Sequence, residues 1–158
     1  MSARRETTVF LLIEDDLDDV WLIRREIARA GGTIELHAVR DGMEGIRYLE
    51  GTHDYENRHR FPLPDVILLD LKMPRFSGFD FLEWLQQKSP GNLRVIPVVV
   101  LSGSDEPYQV ARAYALGANL YLVKPARWPQ FAEVLQTLNR LWTSQAETPV
   151  IAEPEKKT

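Results

Sequence analysis

An acidic run, Glu14-Asp15-Asp16, a single Asp70, a hydroxyl on Ser102 and an amine on Lys124 each directly follow a short apolar segment of this chain. If those segments are strands of one open parallel sheet, their carboxyl ends share a rim and the four groups meet there. Carboxylates gathered in this way repel and raise one another's pKa unless a cation lies between them, so a divalent metal is implied. A small set of oxygen-only donors favours magnesium, which keeps several waters and takes one or two carboxylates plus a phosphate oxygen. A carboxylate beside both a metal and a lysine can act as the nucleophile in phosphoryl transfer, where positioning and charge neutralisation do most of the work. Asp70 is placed for that role. Lys124 can bring a second positive charge to the equatorial phosphoryl oxygens, and Ser102 can donate a hydrogen bond to one of them. Taken alone, an acidic run after a strand is ordinary helix N-terminal charge. The coincidence at four strand ends is what favours a site.

The elements that must position these groups are five apolar runs, Val9 to Ile13, Ile34 to Val39, Val66 to Leu69, Ile96 to Leu101 and Leu120 to Val123. Four are nearly continuous in Val, Ile and Leu, as in parallel strands covered on both faces, whereas IELHAV alternates and reads as an edge. Helical spacing fills the gaps at Asp18 to Ala30, Asp41 to Glu50, Gly78 to Lys88, Pro107 to Leu116 and Pro129 to Trp142. Strict alternation of strand and helix with right-handed crossovers predicts an α/β fold, a doubly wound (βα)5 sandwich on a parallel five-stranded sheet. Residues 1–8 form an N-terminal arm, 9–142 the domain and 143–158 a tail rich in Pro, Glu and Lys that is expected to be disordered. The loop from Gly51 to Pro64 exceeds the usual αβ connection of about 2 to 6 residues, and such length favours a recognition surface.

A chain of 158 residues with 44% apolar and 27% charged residues suits one domain. Its net charge of -4 gives no electrostatic reason to bind DNA or an anionic membrane. Cysteine is absent, which excludes disulfides and thiolate chemistry. The apolar run after MSARRETT is far shorter than the about 20 residues of a membrane span, so a cytoplasmic location is expected.

At these residues the sequence resembles the receiver domain of two-component response regulators. The strings that carry the resemblance are FLLIEDD, VILLDLKMP followed by Ser77-Gly78, VVVLSGSD and GANLYLVKPA, and together they span Val9 to Trp142. The resemblance implies a flavodoxin-like strand order and a single-domain regulator phosphorylated on Asp70 by a sensor histidine kinase. In that scheme Asp15 touches Mg2+ directly, Glu14 acts through a metal-bound water and the Lys72 carbonyl is a further ligand. Ser102 and Tyr121 form the switch: the hydroxyl moves inward on phosphorylation and the Tyr121 ring follows. Gly103, where alanine is frequent, is either an aid to that movement or neutral. A cis Lys124-Pro125 bond is also implied. The long loop, the helix opening DLDDVWLIRREI and the lack of an output domain are most similar to small regulators paired with phytochrome-type kinases, which makes a bacteriophytochrome the expected partner.

His37, His53 and His59 lack a partner spacing suited to metal and read as solvated or locally bonded side chains. Trp21 cannot share full burial with Leu22 and Ile23 on one helix face, which makes it a candidate for the kinase contact. Phe131, Val134, Leu135, Leu138, Leu141 and Trp142 form a wide stripe that either packs wholly on the sheet or leaves an edge for a homodimer. A phosphatase with an aspartyl nucleophile is the competing enzyme reading. It needs an acid two residues after Asp70, where Lys72 stands. A silent receiver that only binds partners is a third reading, opposed by the complete set of Glu14, Asp15, Asp70, Ser102 and Lys124.

Overall fold

In a computed structural model of the chain, residues 7–31 and 33–147 are described, with side chains as far as position 141. Five strands, β1 (Thr8–Ile13), β2 (Ile34–Val39), β3 (Val66–Leu69), β4 (Val98–Ser102) and β5 (Leu120–Val123), form one sheet in the order β2-β1-β3-β4-β5. Every pairing is parallel. Six helices accompany them: α1 (Leu17–Ala30), α2 (Gly42–Glu50), α3 (Gly78–Gln87), a single turn α4 (Gly91–Arg94), α5 (Pro107–Ala115) and α6 (Phe131–Glu147). The predicted doubly wound α/β fold is the one observed.

The two-residue period of the strands divides the core into two layers. Leu11, Ile13, Ile67, Leu69, Val98 and Val100 pack toward Ile46 and Leu49 of α2 and Phe81, Leu82 and Leu85 of α3. Their neighbours Phe10, Leu12, Val66, Leu68, Val99 and Leu101 pack toward Ile23 of α1 and Phe131, Leu135 and Leu138 of α6. All residues of β1, β3 and β4 are buried, which is why those runs show no alternation. β2 is an edge, as its alternation predicts. β5 is the other edge, half-buried and ending in the exposed Val123, although its sequence is as continuously apolar as that of the central strands.

Local chemistry sets the helix boundaries. The Asp16 side chain accepts from the backbone N–H groups of Asp18 (2.9 Å) and Asp19 (3.4 Å), so α1 starts at Leu17, one residue before the predicted start. Asp41 caps α2 by accepting from Glu44 N–H at 2.8 Å. β4 begins at Val98 rather than Ile96, because Pro97 has no N–H and enters the ladder only through its carbonyl, which accepts from Ile67 N–H at 2.9 Å. α6 begins at Phe131 after a 3₁₀ turn, Trp128–Gln130, and continues to Glu147, past the expected boundary at Trp142. The extension contains Gln145, Ala146 and Glu147, all strong helix formers. Residues 148–158 of the expected tail and 1–6 of the expected arm lie outside the described residues.

The long loop is a packed structure. The Arg58 guanidinium donates to the carbonyls of Tyr48 (2.8 Å), Leu49 (2.7 Å) and Phe61 (3.0 Å), which satisfies carbonyls at the end of α2. Tyr48, Tyr55, Phe61 and His37 contact one another in tilted and edge-on pairs with ring centroids 5.1 to 6.1 Å apart. Part of the loop's length therefore serves packing, while His53, Asp54, Glu56, Asn57, His59 and Arg60 stay exposed. In α6, Phe131, Leu135 and Leu138 are buried on the sheet and Leu141 is exposed, while the Trp142 side chain lies outside the described ones. No helix among the described residues is long and apolar enough to cross a membrane.

Candidate functional site

β1 and β3 are adjacent, and the chain leaves β1 toward β2 on one side of the sheet and later fills β3 to β5 on the other. This is the switch point at which a crevice opens beyond the carboxyl ends of the strands. Glu14 and Asp70 stand there one residue past β1 and β3, fixed by backbone bonds Glu14 N–H to Val39 O (3.1 Å) and Asp70 N–H to Ile13 O (3.0 Å). One carboxylate oxygen from each of Glu14, Asp15 and Asp70 lies within 4.8 Å of the others. Glu14 and Asp70 are buried and Asp15 is exposed.

The loop after Asp70 returns so tightly that only glycine fits below it. A Cβ on Gly78 would lie 2.4 Å from the Asp70 carbonyl oxygen and 2.7 Å from Leu71 Cα, both immovable backbone atoms. Gly78 N–H bonds Leu71 O at 3.0 Å, and Ser77 caps α3 in a reciprocal capping box with Asp80. Within this loop Lys72 is exposed, and its N–H donates to Asp70 Oδ1 at 3.4 Å. The position two residues after the candidate nucleophile thus carries no acid.

Lys124 enters from the end of β5, its N–H bonded to Ser102 O at 2.7 Å. All peptide bonds of the described residues are trans, Lys124-Pro125 included, against the cis bond that the resemblance implied. From this trans chain Lys124 Nζ lies 2.9 Å from Glu14 Oε1, 3.7 Å from Asp70 Oδ1 and 2.6 Å from Asp19 Oδ2. Asp19 was not among the predicted site residues. Its only trace in the sequence is a place four residues after Asp15, in the first turn of the helix that follows the acidic run.

The electrostatics show a deficit of positive charge. Burial, and next the charge of Asp70, push the Glu14 carboxyl up to about 8, against the opposing pull of Lys124. Burial likewise raises Asp70, partly offset by Lys124. Burial would lower the Lys124 amine, but the carboxylates of Asp19 and Glu14 outweigh it and hold the amine above its ordinary range. One ammonium therefore faces Glu14, Asp19 and Asp70 together. Glu14 Oε2 accepts from Asp16 N–H at 3.2 Å, whereas the buried Oε1 receives no aligned hydrogen bond despite its short distance to Lys124. An all-oxygen cluster in which a single ammonium faces several carboxylates fits a hard divalent cation or its bound water.

Ser102 ends β4 and is fully buried. Its Oγ accepts from Ser104 N–H at 3.2 Å, which leaves the hydroxyl proton available to donate elsewhere. Tyr121, half-buried on β5, donates its hydroxyl to Ser104 O at 2.6 Å, and its own N–H bonds the Tyr114 hydroxyl at 3.0 Å. The structure thus joins Ser102 and Tyr121 through one intervening residue. His37 pairs with Glu35 and His53 with Thr52, so neither takes part in the acidic cluster. On α1, Trp21 is 61% and Leu17 67% exposed, and the Arg25 guanidinium lies 5.2 Å from the Trp21 ring centre.

Comparison with known proteins agrees with this geometry. The sequence profile of the response regulator receiver domain matches residues 10–136. The probable methanogenesis regulatory protein FilR2 of Methanothrix harundinacea is 33% identical over 141 residues, 89% of this chain and 87% of its own. Response regulator Rcp1 of Synechocystis is 32% identical over 89% of this chain and 92% of its own. The Mn(2+)-bound form of Rcp1 superposes with a TM-score of 0.72, covering 86% of this chain and 94% of that one. The phosphorylated cyanobacterial phytochrome response regulator RcpA superposes with a TM-score of 0.76 at 34% identity, over 88% of this chain and 96% of that one. With the strand order, the acidic cluster and the matched profile in agreement, this chain belongs to the response regulator receiver domain family.

Proposed function

We propose that the chain accepts a phosphoryl group from the phosphohistidine of a sensor histidine kinase onto Asp70, with Mg2+ as cofactor, and signals by a change of conformation. The observation that carries this reading is the placement of Asp70 Oδ1 3.7 Å from the Lys124 ammonium, inside a three-carboxylate cluster that fits a divalent cation. In the transfer an Asp70 oxygen forms a bond to phosphorus as the phosphorus–nitrogen bond of the donor breaks, and the imidazole leaves with the bonding pair. Lys124 neutralises charge on the equatorial oxygens, and Ser102 donates its free hydroxyl proton to one of them. Asp15 and Asp70 would hold the metal directly, Glu14 through a water, and the Lys72 carbonyl would complete the protein's share. The bound ion supplies the remaining positive charge of the transition state.

The Mn(2+)-bound form of the Rcp1 relative supports binding of a divalent ion, and the oxygen-only donor set supports magnesium. Similarity to the cyanobacterial phytochrome response regulator RcpA supports a phytochrome-type kinase as donor. The Ser102–Ser104–Tyr121 connection supports the switch: phosphorylation recruits the Ser102 hydroxyl, and the Tyr121 ring on the α5–β5 face responds. The experiment is intact-mass spectrometry after incubation with acetyl phosphate, with and without Mg2+, on the wild type and Asp70→Asn. A single magnesium-dependent phosphoryl adduct, lost in Asp70→Asn, is expected. No adduct on the wild type would overturn the proposal in favour of a silent receiver.

A further inference from the structure

Among the described residues, three carboxylates approach Lys124 Nζ, and they do so unequally. Asp19 Oδ2, at 2.6 Å, accepts an aligned hydrogen bond. Glu14 Oε1 at 2.9 Å and Asp70 Oδ1 at 3.7 Å are charge partners without such a bond. A lysine amine ends a flexible four-carbon stem and has no preferred direction of its own, so its place in a site is set by what holds it. Asp19 is itself held: it lies in the first turn of α1, and its backbone N–H is bonded to the Asp16 cap. Its side chain is 19% exposed, sheltered enough for a charge-assisted bond to survive competition from water.

We propose that Asp19 is a positioning residue for phosphoryl transfer, an inference that rests on the phosphoacceptor reading of Asp70. Asp19 anchors the Lys124 ammonium to the start of α1. The amine then stands 3.7 Å from Asp70 without an aligned bond to it, and its remaining N–H groups can turn to an incoming phosphoryl oxygen. Without Asp19 the ammonium loses its fixed direction, and its N–H groups are no longer aimed at the phosphoryl oxygens. Asp19 touches neither the phosphoryl group nor the metal and acts through Lys124 alone.

The test uses the full chain, acetyl phosphate and saturating Mg2+, with the initial rate of adduct formation read by intact mass. Asp19→Ala and Asp19→Leu both remove the acceptor, and Asp19→Asn keeps an oxygen of similar reach. We expect labelling to slow about tenfold in Ala and Leu and only about two- to threefold in Asn, as loss of orientation in a positioned reaction predicts. Magnesium affinity by calorimetry and the thermal midpoint should stay close to wild type in all three, which separates positioning from a fold or metal defect. Wild-type rates in Ala and Leu, equal slowing in Asn and Ala, or a parallel loss of magnesium affinity would each overturn the inference while leaving Asp70 as acceptor. A wild type that takes no label would overturn the phosphoacceptor reading and this inference together.

Discussion

Tyr121 donates its hydroxyl to the Ser104 carbonyl at 2.6 Å, and Ser104 in turn donates its N–H to Ser102 Oγ at 3.2 Å. A displacement of the Ser102 hydroxyl therefore reaches the aromatic ring through one residue of the β4–α5 loop. Ser102→Ala removes the acceptor of the Ser104 N–H and the donor to the phosphoryl group, but leaves Asp70 and Lys124 in place. We expect it to accept phosphate from acetyl phosphate while losing the chemical-shift changes at Tyr121 that accompany phosphorylation in the wild type. Equal loss of labelling in Ser102→Ala and Asp70→Asn would show that this division of roles is wrong.

Trp21 lies on α1 one turn beyond Leu17, and both side chains are more than half exposed. An exposed aromatic beside the acidic rim suits a contact with the donor protein better than a place in the core. Trp21→Ala should slow transfer from the cognate kinase about tenfold or more, since an aromatic anchor contributes on the order of 2 kcal/mol at an interface. Labelling by acetyl phosphate should be unaffected. Matched slowing of both reactions would assign Trp21 to folding.

Metal addition should stabilise the domain, because it relieves repulsion among Glu14, Asp15 and Asp70. With Mg2+ at about 100 times its dissociation constant, linkage gives about 2.7 kcal/mol, visible as a rise of several degrees in the melting temperature. Chelation should reverse the rise, and Asp15→Asn should remove most of it. A melting temperature indifferent to Mg2+ would contradict the metal assignment.

Gly78→Ala places a methyl group against the Asp70 carbonyl and Leu71 Cα, which cannot move without displacing the nucleophile. We expect a loss of about 2–3 kcal/mol in stability by denaturant unfolding, together with slower labelling of Asp70. Unchanged stability would mean that the β3–α3 loop has more room than its backbone contacts show.

Arg58→Ala removes three hydrogen bonds to carbonyls at the end of α2 and in its loop. A loss of about 2–3 kcal/mol is expected, with no change in labelling, because the loop leaves α2 at the end remote from its Asp41 cap. Slowed labelling at full occupancy of the folded state would assign the loop a role in the transfer.

The sequence by itself determined the alternation of strands and helices, because apolar runs bounded by caps, glycine and proline encode burial and helix termini locally. It also determined that Glu14, Asp15, Asp70, Ser102 and Lys124 share a rim, since in a parallel sheet the residue after each strand has nowhere else to go. Other features depended on contacts between residues far apart in the chain. Leu120 to Val123 is as apolar as the central strands, and only the sheet order makes it an edge. Nothing near Arg58 in the sequence marks it as the donor to the carbonyls at the end of α2, which lie nine and ten positions earlier. The place of Asp19 is decided by Lys124, 105 positions away, because an ion pair is fixed by distance in space and leaves no period in the sequence.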